Sequence, residues 1–304
     1  MTPGSIVLSL DAELAWGFHD LPELPTARVT EARESWQTLV ELFEQYDVPA
    51  TWTVVGSLFL DELDGEEGTH PAGEAWFERV PDGEPGPESV WFSQELIEAV
   101  IESPVDHEIG SHSFSHIEFG ETTAEIAQAE LEFSHDAAST HGIDLESFVF
   151  PRNNVGHRRV LAENGFTCYR GTAPERWYEG TRYEPAGKAA TFLLGLSPPP
   201  IVTPQQDEFG LVNIPASLFL FEFGRAPPPL STDPVVRQVA RGLEALRAEP
   251  DGVLHLWLHP NNLTTAGDRS RLEEILSLVA EYRDTHGVPV ETMGQVATRV
   301  SGRG

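Results

Sequence analysis

The chain of 304 residues exceeds the usual domain length but fits a single α/β barrel, and its 19 basic and 49 acidic residues give a formal charge of −30. That balance argues against nucleic acid as a partner, because phosphate binding needs clustered Lys and Arg, and equally against an anionic membrane surface. A composition 40% hydrophobic and 9% aromatic supplies a large core, and the lone Cys168 excludes both an internal disulfide framework and a cysteine zinc cage.

Lys188 is the only lysine; every other cation is an arginine. A lysine-poor, acidic chain reads as adapted to a cytoplasm of molar salt, where a Debye length of roughly 3 Å screens self-repulsion. Met1–Gly4 and the short apolar run Ser5–Leu10 do not resemble a signal peptide, and no apolar run reaches the ~18 residues of a membrane span. The expected location is the cytoplasm.

In chain order, Ser5–Leu10 predicts a buried strand that delivers Asp11 and Glu13 at its carboxyl end. Thr30–Tyr46 predicts a helix with Trp36, Leu39, Val40, Leu42 and Phe43 on one face, stopped by Pro49. Ala50–Val55 predicts a second strand, and residues 61–88, rich in Gly, Pro and acids, a surface insertion. Ser93–Ser103 reads as a helix and His107–Gly110 as a third strand. Thr122-Thr-Ala-Glu125 predicts a capped helix that buries Ile126, Ala129, Phe133 and Ala137. Ser147–Phe150 and Phe166–Tyr169 predict strands around a helix at Val155–Asn164 that Gly165 closes. Residues 173–232, with proline clusters at Pro198–Pro200 and Pro227–Pro229, read as irregular. Pro234–Ala248 is then a helix, Gly252–Leu258 a strand, and Asp268–Thr285 and Thr292–Val300 the last helices. Strands alternating with helices, without a visible repeat or linker, favour one parallel α/β barrel over residues 1–304.

Chemistry-bearing residues gather at the strand ends, where such barrels place their sites. Asp11-Ala-Glu13 points two carboxylates the same way on an extended backbone, into a pocket or into solvent. His112-Ser-Phe-Ser-His116 offers imidazoles at i and i+4, which share a face if the segment is helical and then can bind one metal. The third ligand must come from elsewhere, with Glu13 a candidate, and His107 reads as a structural histidine. His259 ends the strand Leu254–Leu258, either as a loop residue or as part of the site. Arg152 in Phe150-Pro-Arg-Asn-Asn154 reads as a surface charge or a catalytic partner. Asn153, Asn154, Trp16 and Trp257 are candidates for the cleft wall, the tryptophans equally for the core.

Asp-x-Glu after the first strand, His-Ser-x-x-x-His, Phe-Pro-Arg and Leu-x-Leu-His, in this order, resemble the polysaccharide deacetylase family, also called the NodB-homology or carbohydrate esterase family 4 domain. The resemblance spans Ser5 to about Pro260, and it differs from the commoner pattern in separating the two acids and ending the pair in Glu13. It implies a distorted (β/α)7 barrel and a divalent metal held by Glu13, His112 and His116. Zinc is the default for two imidazoles and a carboxylate, and cobalt, nickel or manganese also fit. By the same resemblance Asp11 is the general base, His259 the general acid, and Arg152 the arginine that keeps the base charged. The expected reaction removes an N-acetyl group from a sugar, glycan or sugar precursor. The alternatives are a deformylase or cyclic-amide hydrolase using the same residues, or a carbohydrate-binding domain without turnover.

Overall fold

Residues Ser5–Ala12 form β1, buried on both faces because its two sides meet different layers. Ile6, Leu8, Leu10 and Ala12 face outward into the main core, while Val7, Ser9 and Asp11 face the inside of a curled sheet. The computed structural model describes residues 4–63, 69–81, 89–191, 197–221 and 233–302. Among them no helix is long and apolar enough to cross a membrane.

β1 lies between β2 (Thr51–Val54) and β9 (Val253–Leu258), parallel to both. Beyond β2 follow β3 (Glu108–Ser111), β4 (Ser147–Val149), β5 (Cys168–Arg170) and β7 (Val212–Asn213), all parallel. β6 (Gln205–Gln206) adds an antiparallel edge to β7, and β8 (Leu218–Phe219) runs parallel to β9. The stretch from Val212 to Phe219 changes partner midway. Ala216 N–H donates to the Gly171 carbonyl beyond β5, and Ser217 N–H donates to the His255 carbonyl in β9. One continuous segment therefore bridges the two edges. Counted as one strand, it completes a distorted seven-stranded (β/α) barrel.

Helices cover the outside, α3 (Gln94–Ile101), α7 (Pro234–Leu246) and α8 (Ala266–His286) among them. α1 (Thr26–Tyr46) lays Trp36 on the outward face of β2, where it stacks on Trp52 at 5.4 Å between ring centroids. Two buried tryptophans of this kind contribute on the order of 2–3 kcal/mol each by desolvation. Inside the barrel a smaller apolar plug of Val7, Val149, Cys168, Val212 and Val253 is capped by α9 (Met293–Ser301). Burial pushes the Cys168 thiol far up, so it packs in this plug as a protonated, unreactive group. Above the plug the inward positions turn polar: Ser9, Thr53, His255, Arg170 and finally Asp11.

Several segments depart from the sequence reading. α1 starts four residues earlier, because Val29 already belongs to its buried stripe. The fourth helix, α4 (Ala124–Ser139), is capped by Thr123, whose side chain accepts from Ile126 N–H at 3.3 Å. Its buried face runs through Ala127, Glu130, Leu131, Ser134 and Ala138, with Ala129 and Ala137 buried as expected and Ile126 and Phe133 only half-buried. Apolar periodicity found only part of that face because one of its central residues is a carboxylate. α5 (Arg158–Glu163) starts three residues late, after His157 adopts φ +47°, and Gly165 at φ +88° ends the turn as expected. Residues 69–81, expected as surface insertion, send His70, Phe77 and Val80 into the core around a short helix, α2 (Glu74–Phe77). Residues 173–221 contribute α6 (Glu184–Ala189) and β6 to β8 and so are not merely irregular. Pro227–Pro229 lie outside the described residues.

His255 is fully buried and His107 half-buried. Burial, then the nearby Arg170, pushes His255 down to about 3, and burial pushes His107 down to about 4. An unfolded histidine titrates near 6.5, so below that pH the unfolded chain binds protons that the folded chain refuses. Stability is therefore expected to fall as pH drops from about 6.5 toward 4, by at most roughly 1.4 kcal/mol per pH unit for each histidine. Urea unfolding across that range checks the slope, and a His255→Gln variant should show a shallower one. A pH-independent midpoint would contradict the burial of neutral imidazoles.

Candidate active site

Because the parallel strands of the barrel run the same way, their carboxyl ends open into one cleft of about 430 Å³. Asp11 sits at its floor, near the end of β1. Both its oxygens are taken by Arg170 at the end of β5, Nη1 to Oδ1 and Nη2 to Oδ2, each at 2.6 Å. The pair is almost wholly buried, with side chains 0% and 4% exposed. Burial pushes the Asp11 carboxyl up, but Arg170, with His112 and His259, outweighs it and leaves the carboxyl below its ordinary value. Arg170 is itself fixed. Its Nη1 donates to Ser9 Oγ at 3.0 Å, its Nη2 donates to Asn153 Oδ1 at 3.2 Å, and its guanidinium lies 4.4 Å from the Trp257 ring centroid.

Arg152, expected to hold the base, does not do so. It sits at φ +53° in a turn after β4, and its side chain runs to the cleft rim. There Nη2 donates to Asp20 at 2.6 Å, and Nε lies 3.4 Å from Glu118. The tight turn rotates Arg152 out of the barrel, whereas strand alternation aims Arg170 inward beside Cys168. An arginine at the end of an apolar strand was the available signal.

Behind Arg170, His255 Nδ1–H donates to the Ile214 carbonyl at 3.2 Å, which leaves Nε2 to accept from the Ser9 hydroxyl at 2.9 Å. Ser9 Oγ in turn accepts from Arg170. This buried row orients the arginine from below, and its members were not singled out as site residues.

Glu13, His112 and His116 come together, all buried, with one donor atom from each lying within 4.8 Å of the others. Glu13 Oε2 is 3.5 Å from His112 Nε2 and 3.1 Å from His116 Nε2. Ligands held at about 2.0–2.1 Å in a tetrahedron stand about 3.3 Å apart, so the spacing suits a zinc-sized dication. The two histidines do not ride a helix. His112 follows β3 directly, and His116 reaches the same point from a loop in which Ser113 has φ +63° and His116 φ +64°. His112 Nδ1–H donates to the Val149 carbonyl at 2.8 Å, which leaves Nε2 bare for an ion.

Asn261 and Arg28 complete the carboxylate's setting and escaped the sequence reading. Asn261 Nδ2 donates to Glu13 Oε1 at 3.2 Å, while its Oδ1 accepts from Arg28 Nη2 at 2.8 Å. Glu13 is thereby turned so that Oε2 faces the imidazoles. Gly17 makes this room: a Cβ there would collide with the Glu13 carboxylate.

His259 stands across the cleft, Nε2 3.7 Å from Asp11 Oδ2 and 3.9 Å from Glu13 Oε1. Its Nδ1–H donates to Asn262 Oδ1 at 3.1 Å, and the same oxygen accepts the His259 backbone N–H at 3.0 Å. A neutral amide thus aims the ring and leaves Nε2 facing the site. Asn153 and Trp257 line the cleft with Phe219. Asn154 turns away to donate to Glu118 at 2.9 Å. Trp16 is fully buried and donates to the Trp91 carbonyl at 2.9 Å, a core residue and not a wall of the cleft.

A family model described as polysaccharide deacetylase matches residues 13–168, just over half of the chain. No curated protein matches the sequence significantly. Among solved structures, one from Mycobacterium smegmatis described as a polysaccharide deacetylase aligns with TM-score 0.66 at 16% identity, covering 100% of this chain and 94% of its own. Another so described, from Pseudomonas aeruginosa PAO1, aligns with TM-score 0.62 at 14% identity, covering 98% and 90%. A Puue allantoinase aligns with TM-score 0.60 at 14% identity, covering 96% and 88%. Identities this low speak to the fold, which is the distorted barrel of the NodB type.

Proposed function

This chain belongs to the polysaccharide deacetylase family, and from that premise we propose that it is a metal-dependent hydrolase removing an N-acetyl group from an N-acetylated sugar, glycan or sugar precursor. One observation carries the reading. Asp11, the Glu13–His112–His116 triad and His259 face one another across a single cleft, with Asp11 and His259 3.7 Å apart.

Glu13, His112 and His116 would hold the ion, zinc by preference, with cobalt, nickel or manganese as alternatives. A dication held there would supply Lewis-acid chemistry, acidifying a water and polarising the acyl oxygen. Asp11, kept charged by Arg170, takes a proton from the attacking water as oxygen bonds to the acyl carbon. His259 then gives a proton from Nε2 to the nitrogen as the C–N bond breaks, yielding a free amine and acetate. Asn262 keeps that nitrogen aimed by holding Nδ1. Trp257 and Phe219 offer flat apolar surface to the face of a sugar ring. We place the enzyme in a cytoplasm of high salt, a reading supported by the −30 charge and the single lysine.

A second reading, hydrolysis of a cyclic amide, draws on the likeness to the allantoinase, which aligns almost as well as the two deacetylase structures. The test is purification in high salt, metal analysis, and product assay with N-acetylated sugars, N-formyl sugars and cyclic amides. Release of acetate with stoichiometric metal supports deacetylation. Formate release or ring opening alone replaces it with the alternative, and a metal-free protein inert to all three refutes both.

A further inference from the structure

The loop between the two histidine ligands is bound to a carboxylate that the proposed chemistry does not use. Glu130, on α4, is 0% exposed. Its Oε2 accepts the backbone N–H groups of Phe114 and Ser115 at 2.9 and 2.8 Å, and its Oε1 accepts the Ser115 hydroxyl at 2.5 Å. His70, from the segment 69–81, places Nε2 3.3 Å from the same Oε1, and its side chain is also 0% exposed. Trp76 of that segment donates from Nε1 to Ser115 Oγ at 2.9 Å. One carboxylate thus collects the middle of the loop while a second segment closes over it.

Such an arrangement is costly, since a fully buried carboxylate gives up its water and is tolerated only when donors replace it. Burial pushes the Glu130 carboxyl up, but His70 and Ser115 outweigh that and hold it below the ordinary value. The amides it binds lie between Ser113 and His116, both in the left-handed region that non-glycine residues avoid. Left alone, that loop would relax, and His116 would no longer meet His112 and Glu13. A strained conformation persists when its surroundings over-determine it, and here Glu130 does so.

We propose that Glu130 is a positioning residue that sets the metal affinity of the site by holding residues 113–116 in their ligating conformation, with His70 and Trp76 extending that control to residues 69–81. The inference rests on Glu13, His112 and His116 being the ligands. An ion binding a loop already in place gains the ordering that a relaxed loop would have to supply on binding.

The experiment is competition for Zn2+ and Co2+ against a chromophoric chelator, using the full chain. Glu130→Gln keeps the volume but replaces one acceptor oxygen with a donor that faces the loop amides. It is expected to weaken metal binding about 10- to 100-fold, the range typical of lost outer-shell partners. The visible d–d spectrum of the Co2+ protein should change with it, whereas a merely stabilising role would leave that spectrum alone. His70→Gln should show a smaller loss in the same direction and decides the matter if Glu130→Gln does not fold. Ser134→Ala, on the same buried face but bonded to the Glu130 carbonyl at 2.7 Å and not to the loop, should bind metal as the unaltered chain does. Native affinity and native Co2+ spectrum in a folded Glu130→Gln or His70→Gln variant would overturn the inference alone. An unaltered chain that takes up neither metal would overturn the ligand assignment beneath it as well.

Discussion

Replacing Arg170 by Ala is expected to lower kcat/KM about 1000-fold with metal still bound, while Arg152→Ala changes it less than about tenfold. The contrast follows from where each guanidinium sits. Arg170 meets both oxygens of Asp11 at 2.6 Å in a buried setting, where a paired charge is hardly screened. Without it, burial is opposed only by His112 and His259, the carboxyl rises toward its protonated form, and a protonated acid cannot accept a proton from water. A thousandfold loss corresponds to about 4 kcal/mol of transition-state stabilisation. Removing one member of a buried pair also costs about 3–5 kcal/mol of stability, so Arg170→Lys belongs beside it. Lysine keeps the charge but not the two-pronged geometry, and an intermediate rate is expected. Arg152 is 37% exposed and bound to Asp20 and Glu118 at the rim, where its loss perturbs substrate approach more than chemistry. Steady-state kinetics with metal content measured in each variant decide the point. A deeper loss from Arg152→Ala than from Arg170→Ala would return the base's partner to the turn after β4.

His116→Ala is expected to abolish metal retention and turnover together, whereas His259→Ala should keep the metal and lose about 10²–10⁴ in kcat. His116 Nε2 lies 3.1 Å from Glu13 Oε2 and belongs to the triad. His259 Nε2 stands 3.7 and 3.9 Å from the two acids and contributes no member to that triad. On the proposed roles, its loss removes a proton donor and leaves the ligands intact. Metal analysis after gel filtration and acetate release, run on the same samples, separate the two effects. Should His259→Ala shed the ion, it would be a ligand and the acid would have to be sought elsewhere. Full turnover in His116→Ala would contradict the triad.

The two arginines show how far a one-dimensional pattern reaches. Phe-Pro-Arg152 sits in the right place along the chain, but direction in space depends on φ, and Arg152 at +53° leaves the barrel. Arg170 stands one residue past the strand read at Phe166–Tyr169, and nothing local indicates that β5 lies across the barrel from β1. Asn261 and Glu13 are 248 residues apart and meet through one hydrogen bond, and Arg28 joins them from α1. Glu130 was hidden for a different reason. Helix periodicity ranks residues by apolarity and so puts a carboxylate outside, whereas its surroundings here offer backbone and side-chain donors in place of water. The segment 69–81 misled in the same way, its Gly, Pro and acidic residues outweighing His70, Phe77 and Val80.

By itself the sequence determined the alternation of strands and helices, the strand ends that carry acids and imidazoles, and the acidic surface. These follow from local preference and from apolar periods of 2 and 3.6 residues, which are properties of short stretches. Only the tertiary structure decided which arginine holds Asp11, that residues 212–219 bridge β5 to β9, and that Glu130 grips the loop between the histidines. Each of these joins residues distant along the chain, and contacts of that kind exist only once the barrel has curled and removed the water between them.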